Sequence, residues 1–277
     1  MDKIYRSLAF DGQVSLTVLE TTELINRAVR IHGTGWQATK LLGGLLTCAA
    51  YLASSLKEET GSVSLTVKAK DGDGAVSVSA DKALHVRGYA DGSCESTLKG
   101  GTLTVVREDG FSRPFVGTCE IGSDDVSDIL SAYFGQSEQI PTVVKIEVEV
   151  DGSGECVSAG AVVMQLLPDA EEQAIWQASN VFDKFCTRKA ISGGQSEKFD
   201  AEEVFNRYFS AYVSGEVTTL FPQYKCNCSE HKIRGVLASL GKAELIKIAR
   251  EQGAVKVHCH YCNKDYIYDE KRIEETF

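Results

Sequence analysis

The stretches CNCSEHK (226–232) and CHYCNK (259–264) put four cysteines into two tight pairs in the last fifth of a 277-residue chain. Cys226 and Cys228 are separated by one residue, Cys259 and Cys262 by two, and thirty residues lie between the pairs. Each pair offers two sulfurs at once, and folding of the intervening segment brings the pairs together. That spacing points to one tetrahedral zinc site with Cys226, Cys228, Cys259 and Cys262 as ligands. The intervening KIRGVLASLGKAELIKIAREQG reads as two short helices hinged at Gly241. His258 and His260 flank Cys259 and are alternative ligands, although four cysteines already suffice. Four thiolates leave no open position for water, so hydrolytic zinc chemistry is disfavoured. No His-x-Glu precedes the Cys-x-x-Cys pair, as a zinc deaminase requires. Nor does the pair sit in the βαβ setting of a thioredoxin-like dithiol.

A closed tetrathiolate site is either a structural clip or a switch. Its thiolates remain nucleophilic towards peroxide. The segment from Cys226 onward has about 52 residues, too few for a deep core. Structural zinc contributes about 10–16 kcal/mol of apparent binding free energy, against about 5–15 kcal/mol for the net stability of an ordinary domain. Oxidative loss of zinc is therefore expected to unfold this module. The other five cysteines, Cys48, Cys94, Cys119, Cys156 and Cys186, are scattered and read as small hydrophobes or incidental surface.

Towards the N-terminus the pattern changes. Leu8 and Phe10 alternate, Asp11-Gly12 makes a turn, and Val14, Leu16 and Val18 alternate again, which reads as a hairpin. TTELINRAVRIH has helical spacing, with Thr21 or Thr22 as N-cap. A buried helix is expected over 41–56. SVSLTVKAK, AVSVSA, ALHVRGYA, TLTVVRE, TVVKIEVEV and CVSAGAVVMQLL read as strands, with turns at 71–74, 91–92 and 151–154. SDDVSDILSAYF between them reads as a helix capped by Ser123 or Asp124. Residues 1–167 thus suggest an α+β domain, an antiparallel sheet with helices packed on it. GTGWQA (33–38) matches a dinucleotide fingerprint in letters alone, since no strand feeds it.

After Pro168, DAEEQAIWQASNVFDKF reads as an amphipathic helix, AISGGQSEK as a flexible break, and DAEEVFNRYFSAYV as another helix. Phe205, Tyr208, Phe209 and Tyr212 lie along one stripe of the last helix. The expected organisation is an N-terminal α+β core domain over 1–179, a helical linker over 180–225 and a C-terminal zinc-binding domain over 226–277.

Composition narrows the function. The formal net charge is −10. The first 225 residues hold 20 basic against 31 acidic side chains, and the rest holds nine against eight. Neither part offers the positive face that nucleic acid requires. MDKIYRSLAFDG lacks the form of a secretory signal, and the 41–56 run is too short to span a bilayer, so a cytoplasmic protein with no membrane partner is expected. No nucleophile elbow, phosphate loop or pair of catalytic carboxylates stands out, so an enzyme is not expected.

Over nearly its whole length the chain resembles the heat shock protein 33 family, redox-regulated chaperones of thirty-three kilodaltons. The resemblance rests on CNCS…CHYCNKDY, SEQIPT (137–142), QLLP (165–168), RGY (87–89) and the H…LLGGLL…LASSLK region over 32–57. It implies an ATP-independent holdase, inactive while reduced and zinc-bound. It also implies that oxidation with heat or unfolding stress forms two disulfides, Cys226–Cys228 and Cys259–Cys262. Zinc then leaves, the linker is destabilised, unfolded client proteins bind, and the activated chain forms a homodimer. The stripe of Phe205, Tyr208, Phe209 and Tyr212 lies in the segment so released and becomes a candidate client-binding surface. Two departures from the family pattern bear on tuning of the switch. SEHK follows Cys228 in place of an Arg-containing run of mixed charge, so Glu230–Lys232 differ, and Asp169 stands where a glycine is usual. The alternative reading is a constitutive zinc-clipped interaction or nucleic-acid adaptor, which tight, salt-dependent RNA binding would reveal.

Overall fold

The structure, a computed structural model, describes residues 1–70, 74–91, 98–110, 113–191 and 198–277, without the side chains of 189–191. Cys94, most of the expected turns at 71–74 and 91–92, and residues 192–197 of the expected flexible break lie outside the described residues. The fold is α+β, as expected, and divides into two compact units, Met1–Tyr224 and Lys225–Phe277.

The first unit opens with the expected hairpin. Strands β1 (Ile4–Ala9) and β2 (Val14–Glu20) pair from Ile4↔Leu19 to Ala9↔Val14. Phe10 and Asp11 take left-handed backbone at the turn, with φ 53° and 54°. Phe10 thereby leaves the strand and is buried, whereas Leu8, expected on the same face, is exposed. Helix α1 (Thr22–His32) follows with Thr21 at its N-cap, but the Thr21 hydroxyl bonds Thr47 at 2.7 Å and caps nothing. The cap comes from Asp2, whose carboxylate accepts the amides of Glu23 (3.0 Å) and Leu24 (2.7 Å). Asp2 is 2% exposed, and burial pushes its carboxyl up to about 6 against the pull of those two amides.

The helix expected over 41–56 is α2 (Trp36–Ser54), with fifteen of its nineteen residues buried. GTGWQA joins helix to helix: Gly33 closes α1 in left-handed backbone and Gly35 opens α2. The strands that follow are β3 (Ser62–Lys68), β4 (Ala75–Asp81), β5 (His85–Asp91), β6 (Thr102–Glu108) and β7 (Phe115–Glu120), the last not read from the sequence. Helix α3 (Val126–Tyr133) is capped by Asp125, which accepts the Ser127 amide, and not by Ser123 or Asp124; Asp124 is turned to the Leu98 amide. A wide turn, Phe134–Glu138, carries Ser137 and Glu138 of SEQIPT and pairs Glu138 with Arg107 at 2.6 Å. Strands β8 (Thr142–Val150) and β9 (Cys156–Leu166) complete the expected set.

These strands make two sheets where the sequence suggested one. With the short strands β10 (Thr218–Leu220) and β11 (Gln223–Tyr224), their orders are β10-β1-β2-β9-β8 and β11-β5-β4-β3-β6-β7. Helix α2 packs against β3, β4 and β5 of one sheet and β2, β8 and β9 of the other. That position between two sheets explains why α2 is apolar all round. Gly43 and Gly44 let it close on its neighbours: a Cβ there would lie 2.9 Å from Ile25 and 2.9 Å from Val126. Asp169 has φ 64°, a left-handed conformation that aspartate tolerates better than most residues.

Helix α4 (Glu172–Ile191) runs through position 180 without a break. The helix expected over DAEEVFNRYFSAYV is three windings in succession: α5 (Ala201–Val204) capped by Asp200, a π turn (Phe205–Phe209) and a 3₁₀ turn (Ser210–Tyr212). Among the described residues, no helix is long and apolar enough to cross a membrane.

The second unit holds α6 (Glu230–Ala238) and α7 (Lys242–Gln252), the expected helix pair, with Gly241 between them at φ 82°. A hairpin of β12 (Val255–Cys259) and β13 (Lys264–Tyr268) and a final helix α8 (Glu270–Thr276) were not read from the sequence. Its core is Leu237, Leu245, Ala249, Val255, Tyr266, Tyr268 and Ile273.

Candidate metal centre

Two local devices bring the four thiols together. After Cys226 the chain bends so that the Cys228 amide faces the Cys226 sulfur at 3.4 Å, the bent turn that Cys-x-Cys demands. Cys259 ends β12 and Cys262 lies in the hairpin turn, where the amides of Cys262 (3.2 Å) and Asn263 (2.9 Å) donate to the Cys259 carbonyl. Asn263 closes that turn in left-handed backbone, φ 53°.

The four sulfurs lie within 4.8 Å of one another. Cys226 and Cys259 are 3.6 Å apart, Cys228 and Cys262 3.4 Å. A tetrahedral shell with metal–sulfur bonds of about 2.3 Å has edges of about 3.8 Å. The cluster fits such a shell and could hold a metal ion. Among the described residues it is the one such group of His, Cys, Asp and Glu side chains. His258 is engaged elsewhere: its Nδ1 meets Asp265 at 2.6 Å, and its ring stands edge-on to His260.

Without a cation, the thiols ionise unequally. Burial pushes the Cys226 thiol up to about 11 and raises that of Cys262 further. Burial raises Cys228 too, but the Tyr266 hydroxyl (3.2 Å) and the neighbouring thiols stabilise its anion, which leaves it at about 7. One sulfur thus ionises readily, while Cys226 and Cys262 resist. Only a bound cation makes four adjacent thiolates affordable. The departure at Glu230–Lys232 touches no sulfur. Ser229 caps α6 there, and Glu230 accepts Arg234 (2.8 Å) and Arg272 (2.6 Å), which ties α6 to α8.

The aromatic stripe lies in the first unit, docked. Phe205 stacks on Tyr5 (5.5 Å between ring centres) and Tyr212 on Phe10 (5.0 Å), while Tyr208 and Phe209 meet Phe185 at 5.7 and 6.0 Å. Phe205 and Phe209 are buried; Tyr208 and Tyr212 are half-buried. They join Val14, Leu16, Val18, Val162 and Met164 in a second core separate from the one around α2. Phe199 enters the same core above Gly160, where a Cβ would lie 2.3 Å from its ring.

Sequence reasoning missed Tyr266, Phe185, Phe199 and the strands β10 and β11. Tyr266 could have been found in the alternating KDYIY after Cys262, and Phe185 in its helical spacing from Val181 and Ala178. Of the scattered cysteines, Cys48, Cys119 and Cys156 are buried and Cys186 is half-buried. Burial raises all four thiols, Cys156 to about 12, so none is a ready nucleophile.

Fold and site together define a protein in which a two-sheet unit precedes a small tetrathiol module. The chain belongs to the Hsp33 family of chaperones, described as Hsp33 protein, whose sequence profile matches residues 2–269. It is 31% identical to a 33 kDa chaperonin of Bacillus cytotoxicus, over 99% of this chain and 98% of that one. It is 28% identical to a 33 kDa chaperonin of Ruminiclostridium cellulolyticum, over 99% and 97%. A crystal structure of the 33 kDa chaperonin (heat shock protein 33 homolog) of Thermotoga maritima superposes with a TM-score of 0.80 at 27% identity, covering 99% of this chain and 97% of that one.

Proposed function

We propose that the chain is a redox-switched, ATP-independent holdase of unfolded proteins, and that the ion held by Cys226, Cys228, Cys259 and Cys262 is zinc. The observation that carries this reading is the gathering of four sulfurs within 4.8 Å in a unit whose core has only seven buried residues. A unit so built keeps its fold by its metal. All-sulfur donors in a tetrahedral cage favour zinc over hard cations.

Oxidation consumes four thiolates and two hydrogen peroxide molecules. Two disulfides form, zinc(II) is released, and four protons are taken up to give four waters. The disulfides implied by the family are Cys226–Cys228 and Cys259–Cys262. Loss of zinc unfolds the 226–277 module and destabilises a linker over 180–225, which begins inside α4. The linker carries Phe205, Tyr208, Phe209 and Tyr212, now seated on Tyr5, Phe10 and Phe185. Its release uncovers apolar surface for clients on both partners of that contact. Cytoplasmic location and a homodimer in the oxidised state complete the reading, as membership of the family suggests; no catalytic step is part of it.

The test is zinc content and thiol count on one sample, before and after peroxide at mildly raised temperature, alongside aggregation of a denatured client. Release of one zinc with loss of the four thiols, and suppressed aggregation only afterwards, is the expected outcome. Zinc retained with those thiols intact would leave a structural clip and defeat the switch.

A further inference from the structure

The chain from Tyr212 to Tyr224 does more than follow the aromatic stripe. It completes the edge of each sheet. β10 lies antiparallel on β1 in the register Ile4↔Leu220, Tyr5↔Thr219, Arg6↔Thr218. The pairing continues beyond β10 through an Ala9↔Val213 bridge, with the Phe10 amide on the Tyr212 carbonyl (2.8 Å) and the Ser214 amide on the Leu8 carbonyl (2.9 Å). β11 lies parallel on β5, anchored by the Gln223 amide on the Leu84 carbonyl (3.0 Å) and by the Tyr224 hydroxyl on the Gly88 carbonyl (2.8 Å).

The β10 strap is held on β1 by main chain more than by buried side chains, since Thr218 and Thr219 are exposed and Leu220 only half-buried. Backbone groups along a strand alternate in direction. The Leu8 carbonyl and Phe10 amide face the strap, so those of Arg6 and Ile4 do as well, while the Lys3 carbonyl turns to Glu20 beside β2.

An edge strand without guards pairs with whatever extended chain it meets. β8, at the far edge of the same sheet, carries Lys145, Glu147 and Glu149. β1 has one charge, Arg6, and its guanidinium is turned to the Ser54 carbonyl. β1 therefore depends on the strap for cover. Strand addition reads backbone, which every unfolded polypeptide has, so it suits a partner without a defined sequence.

We propose that the β1 edge is a client-binding element, on which an extended segment of an unfolded protein pairs antiparallel in place of β10. This rests on the linker release proposed above. The partner is a stretch of about six residues in extended form, free of proline at the donating positions, with β-branched residues favoured.

The test uses the full chain, oxidised and zinc-free, with and without a chemically unfolded, thiol-blocked protein such as carboxymethylated lactalbumin. Residue-resolved hydrogen exchange is expected to show client-dependent protection of the Arg6, Leu8 and Phe10 amides by tenfold or more. Client held with no added protection there, or with protection confined to β7 and β8, overturns the proposal and leaves the holdase reading standing. An oxidised chain that holds no client at all defeats both. Leu8→Pro and Leu8→Ala provide a second measurement, because the exposed Leu8 side chain is lost in both and the strap-facing amide only in the first. Leu8→Pro is expected to hold at least threefold less client than Leu8→Ala. Equal capacity of the two, with the fold of each confirmed, overturns the proposal.

Discussion

The two units hold their shapes by different means. Among the described residues of Met1–Tyr224, one buried cluster of thirty-eight residues surrounds α2 and a second of sixteen lies beneath the segment that starts at Phe199. In Lys225–Phe277, seven buried residues and surface ion pairs such as Arg250–Glu270 are joined by four thiols. Exposed pairs of that kind contribute about 0–1 kcal/mol each, so on the function proposed above a metal at the four thiols would hold the small unit together, whereas apolar burial holds the large one. On that reading, a change in thiol chemistry would act on one unit and leave the main core of the other intact. The sixteen-residue cluster stands between these extremes, since part of it is the segment whose release is proposed above.

The largest effect that would break this contrast is metal removal. A strong chelator, or Cys259→Ser, is expected to abolish the helical signal of α6 and α7, because about 10–16 kcal/mol of binding free energy is lost from a thin core. The cooperative thermal transition of the first unit should survive. Circular dichroism with metal analysis checks both; a small unit still folded without metal would erase the contrast.

Phe209→Ala probes the middle cluster. Phe209 is fully buried against Phe185, and its truncation should cost about 3–5 kcal/mol of docking. Limited proteolysis should cut near 199–213 faster while the metal remains bound, and less oxidant or heat should suffice for activation. Unchanged cleavage would mean that the segment is held some other way.

Asp2 sharpens the picture of the large unit. Burial holds its carboxyl at about 6, above the ordinary carboxylate value. The folded state binds that proton more tightly than the unfolded state. The contribution is fully present below pH about 4 and is lost as pH rises through 6, on the order of 2–3 kcal/mol in all. Denaturation of wild type and Asp2→Asn across pH 4–7 should show this downward step in the wild type alone, superimposed on whatever the other carboxylates contribute.

Tyr266→Phe should have the smallest effect. It removes the hydroxyl donated to Cys228 while the buried ring stays. Competition with a chelator is expected to show metal binding weakened by about tenfold with the fold retained. No change would make the hydroxyl a bystander.

The gathering of the four cysteines was the most legible part of the chain, because the spacing is local and Cys-x-Cys with Cys-x-x-Cys has few other uses. The strands over 62–108 and 142–166 were legible for a similar reason, since alternation is written residue by residue. Their division into two sheets was not. It depends on α2 lying between them, and the even burial of that helix says it is surrounded without saying by what. The cap of α1 was illegible because its donor of charge, Asp2, lies twenty residues away. The aromatic stripe announced an apolar face, but the change from α to π to 3₁₀ winding follows from seats at Tyr5, Phe10 and Phe185 that no local pattern specifies. β10 and β11 are too short, and too polar in β10, to signal strands; only the edges they complete define them.

The most direct measurement is hydrogen exchange on the full chain, reduced and zinc-loaded against oxidised and zinc-free. Amides over 200–224 should lose protection together with those of α6, α7 and the β12–β13 hairpin, while α2 and β2 keep theirs. Protection retained over 200–224 after the zinc has gone would contradict the coupling between thiol chemistry and the release of client-binding surface.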